Sequence, residues 1–139
     1  MSIFNIFGKK DVRSDITKNM PYRLSTEMVP YKLYANKKSS AVLSIRLKNN
    51  TNEVLLTSLV VELPQKIGFD DIGISKQKEM RIGKMNPQEE RILSLSLFNS
   101  IDADAGEYTI SLTAIAHYLD YGHVINSVKK RTLVGVVQT

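Results

Sequence analysis

The side chains best suited to acid–base or metal chemistry in this 139-residue sequence are two histidines and the aspartate between them. His117, Asp120 and His123 supply nitrogen and oxygen donors of the kind that bind zinc. A joint site would need a hairpin that turns both rings to one side, because His117 lies in a predicted strand and His123 beyond a predicted turn. We favour an ordinary strand histidine and a solvated loop histidine, and we expect no metal.

A second donor-rich segment combines acidic residues with glycines that allow a tight loop. Asp70 and Asp71 lie between Gly68 and Gly73, and carboxylate and carbonyl oxygens are the ligands that calcium takes. The spacing matches no EF-hand, so we favour a solvated loop. The adjacent carboxylates at 89–90 follow a proline turn and are expected to be exposed rather than to form a general acid–base pair. The sequence therefore predicts no cofactor.

Motifs that would mark an enzyme are absent from the sequence. There is no cysteine, which removes disulfides, thiolate nucleophiles and cysteine-bound zinc. No Gly-x-x-x-x-Gly-Lys phosphate loop, Gly-x-Gly-x-x-Gly fingerprint, Gly-x-Ser-x-Gly elbow or His-Glu-x-x-His zinc motif occurs. We therefore predict that the protein is not an enzyme.

The most suggestive binding cluster joins aromatic and cationic side chains near the C-terminus. Tyr118 and Tyr121 precede a run of three cations, Lys129, Lys130 and Arg131. Aromatic rings beside cations can bind single-stranded nucleic acid or an acidic peptide. The formal charge of +5 is spread along the chain and tryptophan is absent, so nucleic acid is not expected. The three cations are interpreted either as guards of a strand edge or as a site for an acidic partner.

The elements that position these residues are predicted from the spacing of apolar side chains. From residue 41 onward, apolar and polar residues mostly alternate, which is the two-residue period of strands with one face on a core. Predicted strands cover 24–34, 41–48, 55–63, 78–85, 91–98, 108–119 and 125–137. Their number and spacing predict an all-β, immunoglobulin-like sandwich of about seven antiparallel strands.

The core of that sandwich is predicted from the same alternation. The side chains expected to face inward are Leu43, Ile45, Leu47, Leu59, Val61, Leu95, Tyr108, Ile110 and Leu112. The strand over 108–119 also places Ala116 and Tyr118 on that inward face, opposite His117.

A short motif before this strand looks like the tyrosine corner of immunoglobulin-type domains. Asp104, Gly106 and Tyr108 have its Asp-x-Gly-x-Tyr spacing, and Ile110 occupies the usual cysteine position. In such a corner the phenol hydroxyl donates a hydrogen bond to nearby backbone. We therefore expect Tyr108 to be mostly buried, with its hydroxyl bonded near residues 102–105.

A longer pattern resembles the CARDB and S-layer-associated families of immunoglobulin-like domains. The resemblance is carried by segments 42–49, 59–64, 82–87, 91–98, 105–108 and 118–120, and it covers residues 41–137. Members of these families serve as adhesion, wall-associated or spacer modules. The resemblance therefore implies a binding or structural role.

The first twenty residues differ from the rest and are assigned to an N-terminal leader, with the sandwich covering 21–139. Four apolar residues and two lysines there can form a short amphipathic helix: Ile3, Phe4, Ile6, Phe7, Lys9 and Lys10. The apolar residues precede the charges, which is the reverse of a secretory signal, so a cytoplasmic location is expected. Such a segment can also hold a protein peripherally at a membrane or contact another chain.

Together these features favour a non-enzymatic protein-interaction or structural module. Its partner is expected to be another protein of unknown identity, or a second copy in a homodimer. One alternative is a peripheral membrane adaptor held by the leader. Another is a carbohydrate-binding sandwich, which the lack of tryptophan disfavours.

Overall fold

The computed structural model describes residues 20–70 and 75–138. Within these two ranges the chain forms nine strands and no helix. The strands are β1 (Tyr22–Val29), β2 (Lys32–Tyr34), β3 (Ser40–Asn49), β4 (Leu55–Glu62), β5 (Ile67–Gly68), β6 (Gln77–Met85), β7 (Glu90–Asn99), β8 (Gly106–His117) and β9 (Val124–Val137).

The strands form two sheets packed face to face, with orders β1-β3-β7-β5 and β2-β9-β8-β4-β6. Seven strands have eight or more residues, and each of them pairs antiparallel with its long neighbours. The predicted immunoglobulin-like sandwich of about seven antiparallel strands is therefore confirmed. Two short strands complete the described sheets, and β2 runs parallel to β9, a pairing that alternation alone does not predict.

The segment over 24–34, which the sequence suggests is one strand, is two strands in different sheets. β1 ends at Val29, and β2 begins at Lys32 in the other sheet. Pro30, which follows a cis peptide bond, has no N–H to donate to a ladder, so pairing with β3 stops there. The predicted strand was wrong in extent because the chain changes sheets at this proline.

The core lies between the two sheets and is built from alternate residues of the long strands. Of the nine side chains predicted to face inward, eight are buried: Leu43, Ile45, Leu47, Leu59, Val61, Leu95, Ile110 and Leu112. Each contributes roughly 1.5–3 kcal/mol to folding through removal of apolar surface from water. Tyr108 packs against this core but is only half-buried.

Two buried asparagines close the loops at the ends of β3 and β7. The Asn49 side-chain nitrogen donates to the carbonyl oxygens of Glu53 (2.8 Å), Met85 (3.1 Å) and Asn86 (3.1 Å). Asn99 does the same at the other end, with its nitrogen 2.7 Å from the Tyr34 carbonyl oxygen. Both amides therefore satisfy loop carbonyls that would otherwise be buried without a partner.

Four segments meet at one end of the sandwich, which we call the hairpin end: residues 20–21, 50–54, 86–89 and 118–123. The Asn50 amide donates to the Pro21 carbonyl at 2.8 Å, and the Gln88 amide donates to the Asn49 carbonyl at 2.9 Å. Leu56, at the start of β4, is paired in register with His117 at the end of β8. The chain therefore enters the described fold at the same end that carries the β8–β9 hairpin.

Candidate functional site

The predicted tyrosine-corner residues lie at the end of the sandwich opposite the hairpin end. The Tyr108 hydroxyl donates to the Asp104 carbonyl oxygen at 2.7 Å, and Gly106 begins β8. Tyr108 is half-buried rather than mostly buried, because it lies near the start of β8, where the sandwich ends. This contact connects the turn before β8 to the strand. Its role is structural and does not involve a ligand.

β8 keeps its alternation up to its last residue, His117, and the hairpin follows directly. The register between β8 and β9 shifts between Ala116 and His117 because Ile125 is an extra residue on β9. Tyr118, which the sequence places on the inward face, is 59% exposed, whereas His117 is buried. The predicted inward position of Tyr118 was wrong because β8 ends at His117, so Tyr118 belongs to the hairpin and not to the strand.

His117 lies on the outer face of the second sheet, where other side chains cover it. Its Nε2 is 2.7 Å from the Ser58 hydroxyl oxygen, and its ring meets the Tyr121 ring edge-on with centroids 5.1 Å apart. The Arg81 guanidinium lies 4.8 Å from the Tyr121 ring centroid, a cation–π distance. Tyr121 therefore packs over the histidine instead of joining Tyr118 in one aromatic surface.

A serine hydrogen-bonded to a histidine can act as a nucleophile with its general base. The Ser58–His117 pair lacks the other features of such a catalytic site. Ser58 is fully buried and His117 is 5% exposed, so a substrate has no access to the hydroxyl. His117 Nδ1 has no hydrogen-bond partner among the described residues, whereas a catalytic histidine is held by a third group at that nitrogen. The geometry fits a buried structural hydrogen bond.

The second histidine pairs with the aspartate of the hairpin. His123 Nδ1 lies 2.8 Å from Asp120 Oδ1, and the same oxygen accepts the Gly122 amide at 2.9 Å. The hydrogen bond from His123 is the largest cause that lowers the pKa of the Asp120 carboxyl, followed by that amide. This ion pair is exposed and closes the turn.

Metal-ligand geometry does not occur in the part of the chain that the structure describes. No three His, Asp or Glu side chains come together there in a way that could hold a metal ion. Of the acidic, glycine-containing segment that was expected to be a solvated loop, Gly68 is buried in β5 and Asp70 is half-buried. Asp71 and Gly73 lie outside the described residues.

Exposed apolar side chains gather at the hairpin end, and we call this group the apolar tip. Its members are Val54, Tyr118, Leu119, Val124 and Ile125. Four of the five line a groove of about 360 Å³, together with Glu53 and Lys84. Leu119 is 80% exposed. Tyr118 is the one member of this group that is a predicted interaction residue, although adjacent apolar residues on both sides of a predicted turn were an available signal.

The three predicted cations lie on an exposed part of β9, residues 126–131, which we call the cationic segment. β2 pairs with β9 only from Gly135 to Val137, so the cationic segment is hydrogen-bonded to β8 on one edge, and no strand of the described ranges pairs with its other edge. Five of its six residues are exposed, and Val128 is half-buried. None of the three cations forms an ion pair with another described residue.

The unpaired edges of β9 and β1 lie side by side. Lys130 Nζ lies 3.3 Å from the Leu24 carbonyl oxygen on β1, and the Thr26 hydroxyl donates to the Thr132 hydroxyl at 3.3 Å. Between the two edges is a groove of about 240 Å³, lined by Arg23, Lys129 and Lys130 among others. The structure thus brings Lys130 to a sheet edge, while Lys129 and Arg131 alternate with it along the strand.

The predicted membrane or partner contacts of the leader lie outside the described residues: Ile3, Phe4, Ile6, Phe7, Lys9 and Lys10. Among the residues that the structure does describe, no helix is long and apolar enough to cross a membrane.

No protein-family model matches the chain, and no curated protein matches it by sequence. Solved structures do match it by fold. A FixG-related protein from Vibrio parahaemolyticus is 12% identical, with a TM-score of 0.53 over 84% of this chain and 97% of that one. BslA, described as a bacterial hydrophobin, is 13% identical, with a TM-score of 0.51 over 86% and 96%.

A third structure is the ASH/PapD-like domain 7 of human CEP192, 11% identical, with a TM-score of 0.44 over 100% of this chain and 98% of that one. At such identities the comparisons concern the fold alone. The FixG-related protein and BslA, whose TM-scores exceed 0.5, agree with the sandwich that the two sheets form.

Proposed function

We propose that this chain is a non-enzymatic interaction module that binds an acidic segment of another protein along the cationic segment of β9. The observation that carries the proposal is the combination of strand pairing, exposure and charge at residues 126–131. Among the residues that the structure describes, they are paired on one edge only and their three cations have no ion-pair partner, and they are mostly exposed.

The backbone of the cationic segment supplies the first part of the recognition. An unpaired strand edge presents alternating N–H and C=O groups, which an extended peptide can pair with by adding a strand. On the neighbouring β8, the residues in register with the cations are Ser111, Leu112 and Thr113. None of these is acidic, so Lys129 and Arg131 are not neutralised by the strand beside them.

The charges of the cationic segment supply the second part of the recognition. Lys129 and Arg131 alternate with Lys130, so they project to one face while Lys130 projects to the other. Carboxylates on alternate residues of an added strand would meet Lys129 and Arg131. Charge pairing of this kind gives specificity and speeds association more than it adds affinity.

The proposal also includes the family, the cellular location and the non-enzymatic role that the sequence predicts. Membership of the CARDB or S-layer-associated families is supported by the segments over 42–49, 59–64 and 82–87. A cytoplasmic location is supported by the order of apolar and basic residues in the leader. The non-enzymatic role is supported by the burial of Ser58 and His117, the serine–histidine pair that the described residues bring within hydrogen-bond distance.

The test is charge reversal on β9 with a matched control elsewhere on the surface. The doubly substituted chain Lys129→Glu/Arg131→Glu is compared with Lys37→Glu/Lys38→Glu, which changes the net charge equally in an exposed loop at the opposite end. Proteins recovered with the tagged full chain from its native cell are identified for each form. The proposal expects a partner that is lost with the β9 variant and retained with the control. Equal recovery with both variants would overturn it.

A further inference from the structure

The apolar tip is an exposed surface that the β9 contact leaves unexplained. Its five members come from two loops and the start of β9, and four of them surround one groove. Exposed apolar groups that cluster in this way mark contact surfaces, whereas scattered ones need no explanation. Something that excludes water is therefore expected to cover the hairpin end.

Leu119 is the most informative residue of the tip. Its φ of 68° lies in the left-handed region, which glycine or asparagine adopts at lower cost than leucine. Its side chain is also 80% exposed. A residue needed only to close the hairpin would be glycine, asparagine or aspartate. Leucine at this position is explained by a contact made outside the described fold.

The place where the chain enters the fold indicates what makes that contact. Residues 1–19 are attached at Met20, next to Pro21, whose carbonyl accepts the Asn50 amide at the hairpin end. In sequence they carry Phe4 and Phe7 followed by Lys9 and Lys10, a combination suited to a lipid surface. Residues 10–20 span at most roughly 36 Å. The leader and the apolar tip can therefore meet the same bilayer.

The chemistry of the tip also suits a lipid surface. Tyr118 is an exposed ring with a polar end, the kind of side chain enriched where membrane meets water. The charged side chains near the tip are Lys84 and Glu53, which line the groove, Asp120, which is paired with His123, and Arg81, which lies over the Tyr121 ring. Attraction to anionic lipid would come from the leader lysines, and the tip would contribute apolar contact.

We infer that the hairpin end faces a lipid bilayer and that Tyr118, Leu119 and Ile125 enter its interfacial region beside the leader. The cationic segment of β9 begins beyond the tip and stays available to a protein partner. Membrane contact by the apolar tip does not depend on partner binding by the cationic segment. The two surfaces consist of different residues and can be altered separately.

The absence of cysteine allows one residue at a time to be labelled in the full chain. A polarity-sensitive fluorophore is attached to Leu119→Cys or to Ile101→Cys, which is 61% exposed at the opposite end. Each labelled chain is mixed with vesicles of phosphatidylcholine and phosphatidylglycerol. Emission, quenching by lipids that carry a quencher in the acyl chain, and flotation are measured, and circular dichroism checks that each chain is folded.

The inference expects a blue-shifted, lipid-quenched signal at 119 and no change at 101. The double variant Leu119→Ser/Ile125→Ser, with the leader intact, should partition about tenfold less to the vesicles, whereas Tyr31→Ser/Ile101→Ser should partition as the unaltered chain does. A chain that floats while the label at 119 stays in water would overturn the inference, because the leader alone would then bind. A signal at 119 that rises with protein concentration in the absence of vesicles would also overturn it, in favour of a second copy.

Discussion

The ammonium nitrogen of Lys130 on β9 lies 3.3 Å from the carbonyl oxygen of Leu24 on β1, so a cation from one sheet binds a main-chain acceptor on the free edge of the other. An inward-pointing charge on an edge strand is one of the devices by which sheets avoid pairing with other copies. Lys130 thus has a role distinct from those of Lys129 and Arg131, whose charges are available to a partner.

Replacing Lys130 by methionine tests that role. The variant keeps the length of the side chain but leaves the β1 and β9 edges without the inward charge, so we expect concentration-dependent self-association. Sedimentation velocity over a range of concentrations measures it. Lys129→Met removes an equal charge from the outer face and should behave as the unaltered chain. A Lys130→Met variant that sediments like this control would show that Lys130 is not an edge guard.

The hydroxyl of Tyr108 offers a test of the turn before β8. Tyr108→Phe removes the donor to the Asp104 carbonyl and leaves the ring in place. The free energy of unfolding should fall by roughly 0.5–1.5 kcal/mol, the usual net contribution of one hydrogen bond. Urea denaturation gives the value, with Tyr31→Phe as an exposed control. An unchanged midpoint and slope would show that the bond does not stabilise the corner.

The ion pair between Lys66 and Asp102 predicts a change of stability in acid. Lys66 Nζ lies 2.6 Å from Asp102 Oδ2, and this hydrogen bond, with one from the Ser100 hydroxyl, lowers the pKa of the Asp102 carboxyl to about 2. The folded state therefore favours the ionised carboxylate. The resulting stabilisation is complete above the ordinary pKa of 3.8 and is lost as the pH falls through about 2.

Asp102→Asn removes this titration. Its urea midpoint should be lower than that of the unaltered chain at neutral pH, and the difference should shrink as the pH falls from about 4 to about 2. Because both side chains are exposed to water, the effect is expected to be small and to weaken with added salt. Glu62→Gln serves as a control outside the pair. A difference that stays constant across this pH range would contradict the assignment.

The leader is expected to be dispensable for folding. The described sheets already bury a continuous core from Tyr22 to Val136, so a chain that begins at Asp11 should fold with a Tm within about 5 °C of the full chain, a shift on the order of 1 kcal/mol for this size. Calorimetry measures it. A much larger drop would assign Phe4 and Phe7 to the core. Flotation with anionic vesicles should decrease in the shortened chain.

Period-two alternation predicts most of the fold because one face of each long strand is buried. It identifies the inward residues of β3, β4 and β8 correctly. It does not identify the change of sheet at Pro30 or the end of β8 at His117, because both depend on which strand lies alongside. Asn49 and Asn99 are also not predicted, since a buried asparagine has the same sequence signature as a turn residue until its acceptors are in place.

The candidate surfaces were predicted less completely than the fold. The three cations of β9 follow from the sequence because they are consecutive and the side chains of successive strand residues point to opposite faces. The apolar tip joins Val54 to Ile125 across 70 residues, so it follows only from the pairing of β4 with β8 and of β8 with β9. The separation of Tyr118 from Tyr121 likewise depends on the hairpin, which packs the Tyr121 ring against His117.

The most direct test of the interaction role is photo-cross-linking from the cationic segment in the native cell. Benzoylphenylalanine is placed at Ser127, which is exposed and leaves the three cations intact, or at Ser94, exposed on β7 of the other sheet. Mass spectrometry maps the cross-linked peptides. The account predicts cross-links from position 127 to an Asp- and Glu-rich segment of another protein, and none of them from position 94. It would be contradicted if position 127 captured no protein, or only the segments that position 94 also captures.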